Sequence, residues 1–109
     1  MSNRFADLGI NIEIQESLSA LQISVPTDIQ EKVIPVILSQ TEDVVALAKT
    51  GTGKTAAFGL PLLQLIDTTK DVIQAIVLAP TRELGQQIHS NLESFAVNSP
   101  EISIAVICG

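Results

Sequence analysis

The residues with the most chemistry to offer are Ala48-Lys49-Thr50-Gly51-Thr52-Gly53-Lys54-Thr55. Gly51 and Gly53 permit a tight backbone turn in which successive N–H groups converge on phosphate oxygens. A helix starting at this point adds the positive end of its dipole. In that arrangement Lys54 reaches the β- and γ-phosphates of a nucleotide, and the Thr55 hydroxyl supplies a ligand to Mg²⁺. The flanking segments are those such a loop needs. Residues 43–48 read as a buried, β-branched strand, and 54–66 read as a helix with Phe58, Leu62, Leu65 and Ile66 along one side. The plainer reading is a Gly-rich strand-to-helix turn with an exposed lysine.

A second cluster, Pro26-Thr27-Asp28-Ile29-Gln30, lies upstream. A glutamine amide carries a donor and an acceptor, and an adenine edge presents N7 as acceptor and its N6 amino group as donor. Gln30 can therefore select adenine over guanine through a bidentate pair. The same residues also fit a capping box, in which Thr27 and Gln30 satisfy each other's backbone donors. Both readings are open at this point.

These clusters need elements to hold them. Asn11 caps a first helix through about Leu21, with Ile14, Leu18 and Leu21 on one face. Pro26-Thr27 opens a second helix, in which Ile29, Val33, Ile37 and Leu38 recur at helical spacing. Pro35 falls inside it and is expected to kink it or end a first segment. Residues 73–79 form a second apolar strand closed by Pro80-Thr81. Residues 82–97 form an amphipathic helix with Leu84, Ile88, Leu92 and Phe95 inward, and 102–107 form a third strand. Strands and helices in alternation, with wholly apolar strands, predict a parallel α/β sheet with crossover helices. Ligands of such sheets bind beyond the carboxyl ends of the strands. The loop at 48–55, the segment 80–84 and Gly109 all reach that edge.

Bulk composition narrows the class further. With 109 residues, 46% of them hydrophobic, the chain is one domain or a piece of one. No stretch approaches the roughly 20 apolar residues of a membrane span, and residues 1–7 do not resemble a signal peptide. The single cysteine, Cys108, offers neither an internal disulfide nor a metal cluster, and reads as a small buried hydrophobe. The one histidine, His89, reads as a boundary residue of its helix. A soluble, cytoplasmic protein without membrane contact is expected. The net charge of −6 and the lack of any basic cluster oppose a general nucleic-acid surface, so such binding has to rest on specific motifs.

Taken together, the three clusters resemble the DEAD-box ATP-dependent RNA helicases. Residues 26–30 correspond to the family's Q motif and 48–55 to its motif I. Residues 80–84 correspond to motif Ia, continued by Gln87-Ile88, and Phe5 stands where the family carries an upstream aromatic. The resemblance implies a P-loop NTPase of RecA-like fold, using ATP and Mg²⁺ and unwinding or remodelling RNA. It further implies that Gln30 contacts adenine and Phe5 packs on its face. Thr50, Gly51, Thr52, Gly53, Lys54 and Thr55 would hold phosphates and Mg²⁺, with Lys54 and Thr55 the catalytic pair. Thr81 and Arg82 would lie on the RNA sugar-phosphate backbone, a role that suits a hydroxyl and a guanidinium at a helix start. Capping and dipole compensation are the plainer roles for Thr81 and Glu83. The chain departs from the family pattern at Gln22 and Ile23, where glycine and an aromatic are usual. It departs again at Asp28 for proline and at Gly85 for alanine.

The family's Asp-Glu-Ala-Asp segment is missing from this sequence. The apolar run 62–66 ends in Asp67, but it continues the phosphate-loop helix and so cannot supply the acid that orients attacking water. The expected organisation is the N-terminal part of a first RecA-like domain over 1–109, truncated after the third strand. It comprises the upstream aromatic and Q motif (1–30), strand, loop and helix (43–66), strand, motif Ia and helix (73–97), and a third strand (102–109). Such a piece is expected to self-associate or be marginally stable, and to lack RNA-stimulated ATPase by itself. An adenine-nucleotide-binding module without turnover is the alternative. A small-metabolite kinase explains neither Gln30 nor 80–84.

Overall fold

The computed structural model describes residues 4–47 and 53–107. A 3-10 helix over Arg4–Leu8 precedes four α-helices: α1 (Ile12–Ala20), α2 (Asp28–Ser39), α3 (Lys54–Leu65) and α4 (Arg82–Phe95). Local chemistry accounts for the starts of α1, α2 and α4. The Asn11 side chain accepts the Ile14 N–H at 3.0 Å. Thr27 and Thr81 do the same for Gln30 and Leu84, each satisfying one donor that an incipient helix leaves open. α2 runs unbroken through Pro35, which corrects the expected break. The proline is exposed, so its ring meets solvent rather than a packed neighbour, and the missing N–H forfeits one bond that the surrounding contacts outweigh. Gln40 then ends α2 in the left-handed region, at φ 56°.

α3 occupies the centre, with α2 along one side and α4 along another. That position alters which of its residues lie deepest. Ala56, Leu60 and Leu63 belong to the core, whereas the expected face of Phe58, Leu62, Leu65 and Ile66 is only half-buried. A helix apolar all round is covered on several sides, and periodicity does not say which neighbour presses hardest. In α4, Leu92 and Phe95 are buried as expected, Ile88 is half-buried and Leu84 is exposed. Ile14 and Leu18 of α1 join the same core, while Leu21 is exposed.

The strand segments behave differently. Residues 43–47, 73–79 and 102–107 take no regular secondary structure, and among the described residues no backbone hydrogen bond links one to another. Most of their apolar side chains are open to solvent, with Val45 91% exposed, Leu78 89% and Ile107 94%, whereas Ile102 and Ile104 pack half-buried against the core. The expectation of strands covered on both faces is thereby corrected for the exposed residues of these segments. Segments 75–79 and 102–107 face each other across a cavity of about 500 Å³, floored by α3 and α4. A ladder needs its two backbones at roughly 4.8 Å. Consecutive strands are spatial neighbours in only about two-thirds of cases, so alternation along a sequence does not make successive strands partners.

Candidate functional site

The site is built where α2 and α3 begin. Thr27 Oγ1 accepts the Gln30 N–H at 3.4 Å, and Gln30 Oε1 accepts the Thr27 N–H at 3.0 Å. This is the capping box read from the sequence. The amide does more than cap, because Gln30 Nε2 also donates to the Gly53 carbonyl at 3.1 Å. That carbonyl already accepts the Ala57 N–H, also at 3.1 Å, which is the first bond of α3. Gln30 is thus fastened to the backbone atom from which α3 grows. It is buried, yet its amide retains one N–H and one lone pair beyond these bonds.

Gly53 is confined from two directions. Its φ is 83°, in the left-handed region that disfavours any side chain. A Cβ there would also overlap the Gln30 amide nitrogen and crowd Thr27 Oγ1. At this N-cap no side chain accepts from the first turn of α3. Among the described residues, the first-turn N–H groups of α3 thus have no N-cap side chain of the kind found at α2 and α4. The helix dipole and the exposed Lys54 give this end a positive character. Thr55 stands half-buried in the same first turn. Thr50, Gly51 and Thr52 lie outside the described residues, as do Ala48, Lys49 and Cys108.

Phe5 does not sit as expected. Its ring is 0% exposed, in a core with Ile14, Leu18, Ile34 and Leu60. A ring without exposed surface offers no face to a base in this arrangement, so stacking is withdrawn from Phe5. Gln22, where the resemblance calls for glycine, has φ 62°. The left-handed backbone explains the usual glycine, and here a glutamine bears the strain.

Thr81 and Arg82 lie at the start of α4, both exposed. The Thr81 hydroxyl accepts the Leu84 N–H at 3.1 Å, which confirms the capping role and leaves its O–H to donate elsewhere. Both residues also line the cavity between 75–79 and 102–107. His89 is half-buried, with Nε2 3.1 Å from the Ile104 carbonyl and 3.7 Å from Glu93 Oε1. It ties α4 to the 102–107 segment. Asp67 is occupied in a turn. The Thr69 hydroxyl and then the Thr69 N–H donate to its Oδ1, and these bonds hold its carboxyl below the ordinary carboxylate range. It is no strand-end acid, in keeping with its place just past α3.

Two glutamines without any local motif also grip backbone. Gln64 Nε2 donates to the Gly9 carbonyl at 2.6 Å, and Gln64 Oε1 accepts the Asn11 N–H at 2.7 Å. Gln74 makes the equivalent pair with Asp67, both at 2.8 Å. Their partners are non-local or lie across a loop, so spacing gave no signal for them. Among the described residues there is no cluster of three metal-ligating side chains, and no helix is long and apolar enough to cross a membrane.

Against known proteins, the model of the DEAD/DEAH box helicase family matches residues 27–109. The ATP-dependent rRNA helicase rrp3 of Schizosaccharomyces pombe is 41% identical over 105 residues, covering 96% of this chain and 22% of that protein. Among solved structures, S. cerevisiae Dbp5 bound to RNA and ADP BeF3 is similar with a TM-score of 0.84 and 32% identity, over 90% of this chain and 25% of that one. A DEAD box protein from the hyperthermophile Methanococcus jannaschii is similar at 0.79 and 42%, over 84% and 25%. The chain thus spans about a sixth to a quarter of the length of relatives it matches. Its fold class is the expected one, an α/β P-loop NTPase of RecA-like type.

Proposed function

The chain belongs to the DEAD/DEAH box helicase family, and we propose that it carries the adenine-nucleotide site and a first RNA-backbone contact of an ATP-dependent RNA helicase. In this reading, ATP binding and hydrolysis by the whole protein are coupled to unwinding or remodelling of RNA. Residues 1–109 are the N-terminal part of its first RecA-like domain, and the setting is cytoplasmic. The observation that carries the proposal is the Gln30 Nε2 bond to the Gly53 carbonyl. It joins a side chain able to read adenine to a helix start able to hold phosphate.

The roles follow from that junction. The spare N–H and lone pair of Gln30 suit adenine N7 and the N6 amino group. Lys54 is the cation for the β- and γ-phosphates. Thr50, Gly51, Thr52 and Gly53 supply backbone around them. The Thr55 hydroxyl fits Mg²⁺ as one oxygen ligand, a hard cation that takes its remaining ligands from phosphate and water. Bound there, the ion neutralises phosphate charge as it develops. Thr81, through its remaining O–H, and Arg82 suit RNA phosphates without base selection. Phe5 supports the pocket from the core.

A second reading, nucleotide binding without turnover by this stretch, draws on Asp67 being engaged by Thr69 rather than facing the α3 start. The test is a titration with labelled ADP in competition with GDP. Preference for ADP, with about ten- to a hundredfold weaker binding in Lys54→Ala, is expected from the loss of charge-assisted bonds. Equal affinity for ADP and GDP, or an unaffected Lys54→Ala, overturns the proposal.

A further inference from the structure

Gln30 and Gly53 fasten the near ends of α2 and α3, which leaves open what sets the far ends. Eight residues along α2 from Gln30, or about 12 Å at 1.5 Å per residue, stands Leu38. Ten residues along α3 from Lys54, about 15 Å away, stands Gln64. Both meet the same turn. Leu38 Cδ1 lies 3.1 Å from the position that a Cβ on Gly9 would take, and Gly9 has φ 98°. Gln64 grips that turn by both halves of its amide, through the Gly9 carbonyl and the Asn11 N–H. Between them, Ile10 is buried, and its carbonyl accepts Gln15 Nε2 at 2.7 Å. The Asn11 side chain is spent on capping α1, so this turn is rigid from both directions.

We propose that residues 9–11 form a strap across the far ends of α2 and α3, and that Gln64 is a positioning residue for adenine selection. The inference rests on the reading of Gln30 as the base-selecting side chain. In that reading phosphate is held at the start of α3 and the loop before it, whereas the base is read from α2. A loosened strap lets α2 pivot against α3 and displaces Gln30 relative to the phosphate site. Phosphate affinity survives this, and base discrimination does not. General destabilisation would weaken ADP and GDP alike.

The experiment compares Gln64→Met with Gln74→Met in the full chain. Both remove a bidentate amide while keeping side-chain length, but Gln74 grips only the turn at Asp67 that follows α3, not the 9–11 turn. Affinities for ADP and GDP are measured for both variants and for Gln30→Ala. Amide hydrogen exchange at Gln30 and Glu31 is followed without ligand. Gln64→Met is expected to cut the ADP preference about three- to tenfold, from the loss of two hydrogen bonds, with GDP binding little changed. It should also speed exchange at Gln30 and Glu31, and Gln74→Met should do neither. An unchanged ADP preference in Gln64→Met, with that preference lost in Gln30→Ala, overturns the strap and leaves the base reading standing. A Gln30→Ala variant that discriminates as the parent does overturns the base reading instead. The exchange rates then judge the strap, and equal rates in Gln64→Met and the parent overturn it.

Discussion

α3 and α4 are reached in the same way along the sequence, each through an apolar segment and a short polar turn, but their first turns are finished differently. α4 begins with Thr81, whose hydroxyl closes on the Leu84 N–H. α3 begins with Gly53, a left-handed residue with no side chain to offer. The helix that completes its own N-terminus is stabilised locally. The one that does not is anchored instead by Gln30 on a neighbouring helix, and in the proposed reading its first-turn donors serve a phosphate. Under the proposed reading it is the missing cap, not the dipole that both helices share, that separates the nucleotide end of α3 from the start of α4.

That contrast is open to direct attack. The largest effect is expected for Gly53→Ala, which meets both the positive φ and the Gln30 amide. Loss of about 2–4 kcal/mol in chemical denaturation, with nucleotide binding abolished, is expected from strain and overpacking. Parent-like stability would mean that α3 does not depend on this junction. Thr81→Ala should cost about 1 kcal/mol through the lost cap and leave ADP affinity unchanged. A change in ADP affinity would show that the two helix starts are coupled rather than separate.

Gly85→Ala works in the opposite direction. A Cβ there would stand 3.8 Å from the Ala79 Cβ, an ordinary contact, and Gly85 is within α4. Stabilisation of about 0.5–1 kcal/mol is expected, seen as a raised denaturation midpoint. Destabilisation would mean that α4 needs the glycine for its packing. The smallest effect belongs to Asp67. Its carboxyl is held below its unfolded value by the Thr69 hydroxyl and N–H, so its contribution is complete above about pH 4 and fades as pH falls through the lower folded value. NMR titration should find an acid-shifted midpoint for Asp67 that returns to normal in Thr69→Ala. An unshifted midpoint in the parent would remove the turn's role.

Legibility followed the range of the forces involved. The caps at Asn11, Thr27 and Thr81 act within three residues, and all three were readable from residue type and position. The Gln30 bond to Gly53 spans 23 positions and the Gln64 bonds more than 50, so no local pattern announces them. Burial was readable for Ile14 and Leu18 of α1, though not for Leu21, and for the last turns of α4. It was misread for α3, because a helix apolar on every side carries no periodic signal to say which neighbour lies closest. The strand segments were recognisable by composition, but pairing is a property of two chain stretches at once.

The sequence by itself determined the helix starts and the order of the helices, and it supplied the proposed roles of Lys54 and Thr55, since each depends on residues adjacent along the chain. The family resemblance drew on the same local motifs. Only the tertiary structure decided that Phe5 is core rather than base platform, because enclosure of a ring is set by residues distant in sequence. It likewise decided that Gln30 both caps α2 and anchors α3. A side chain's spare donor is satisfied by whichever acceptor the packing of helices brings within reach.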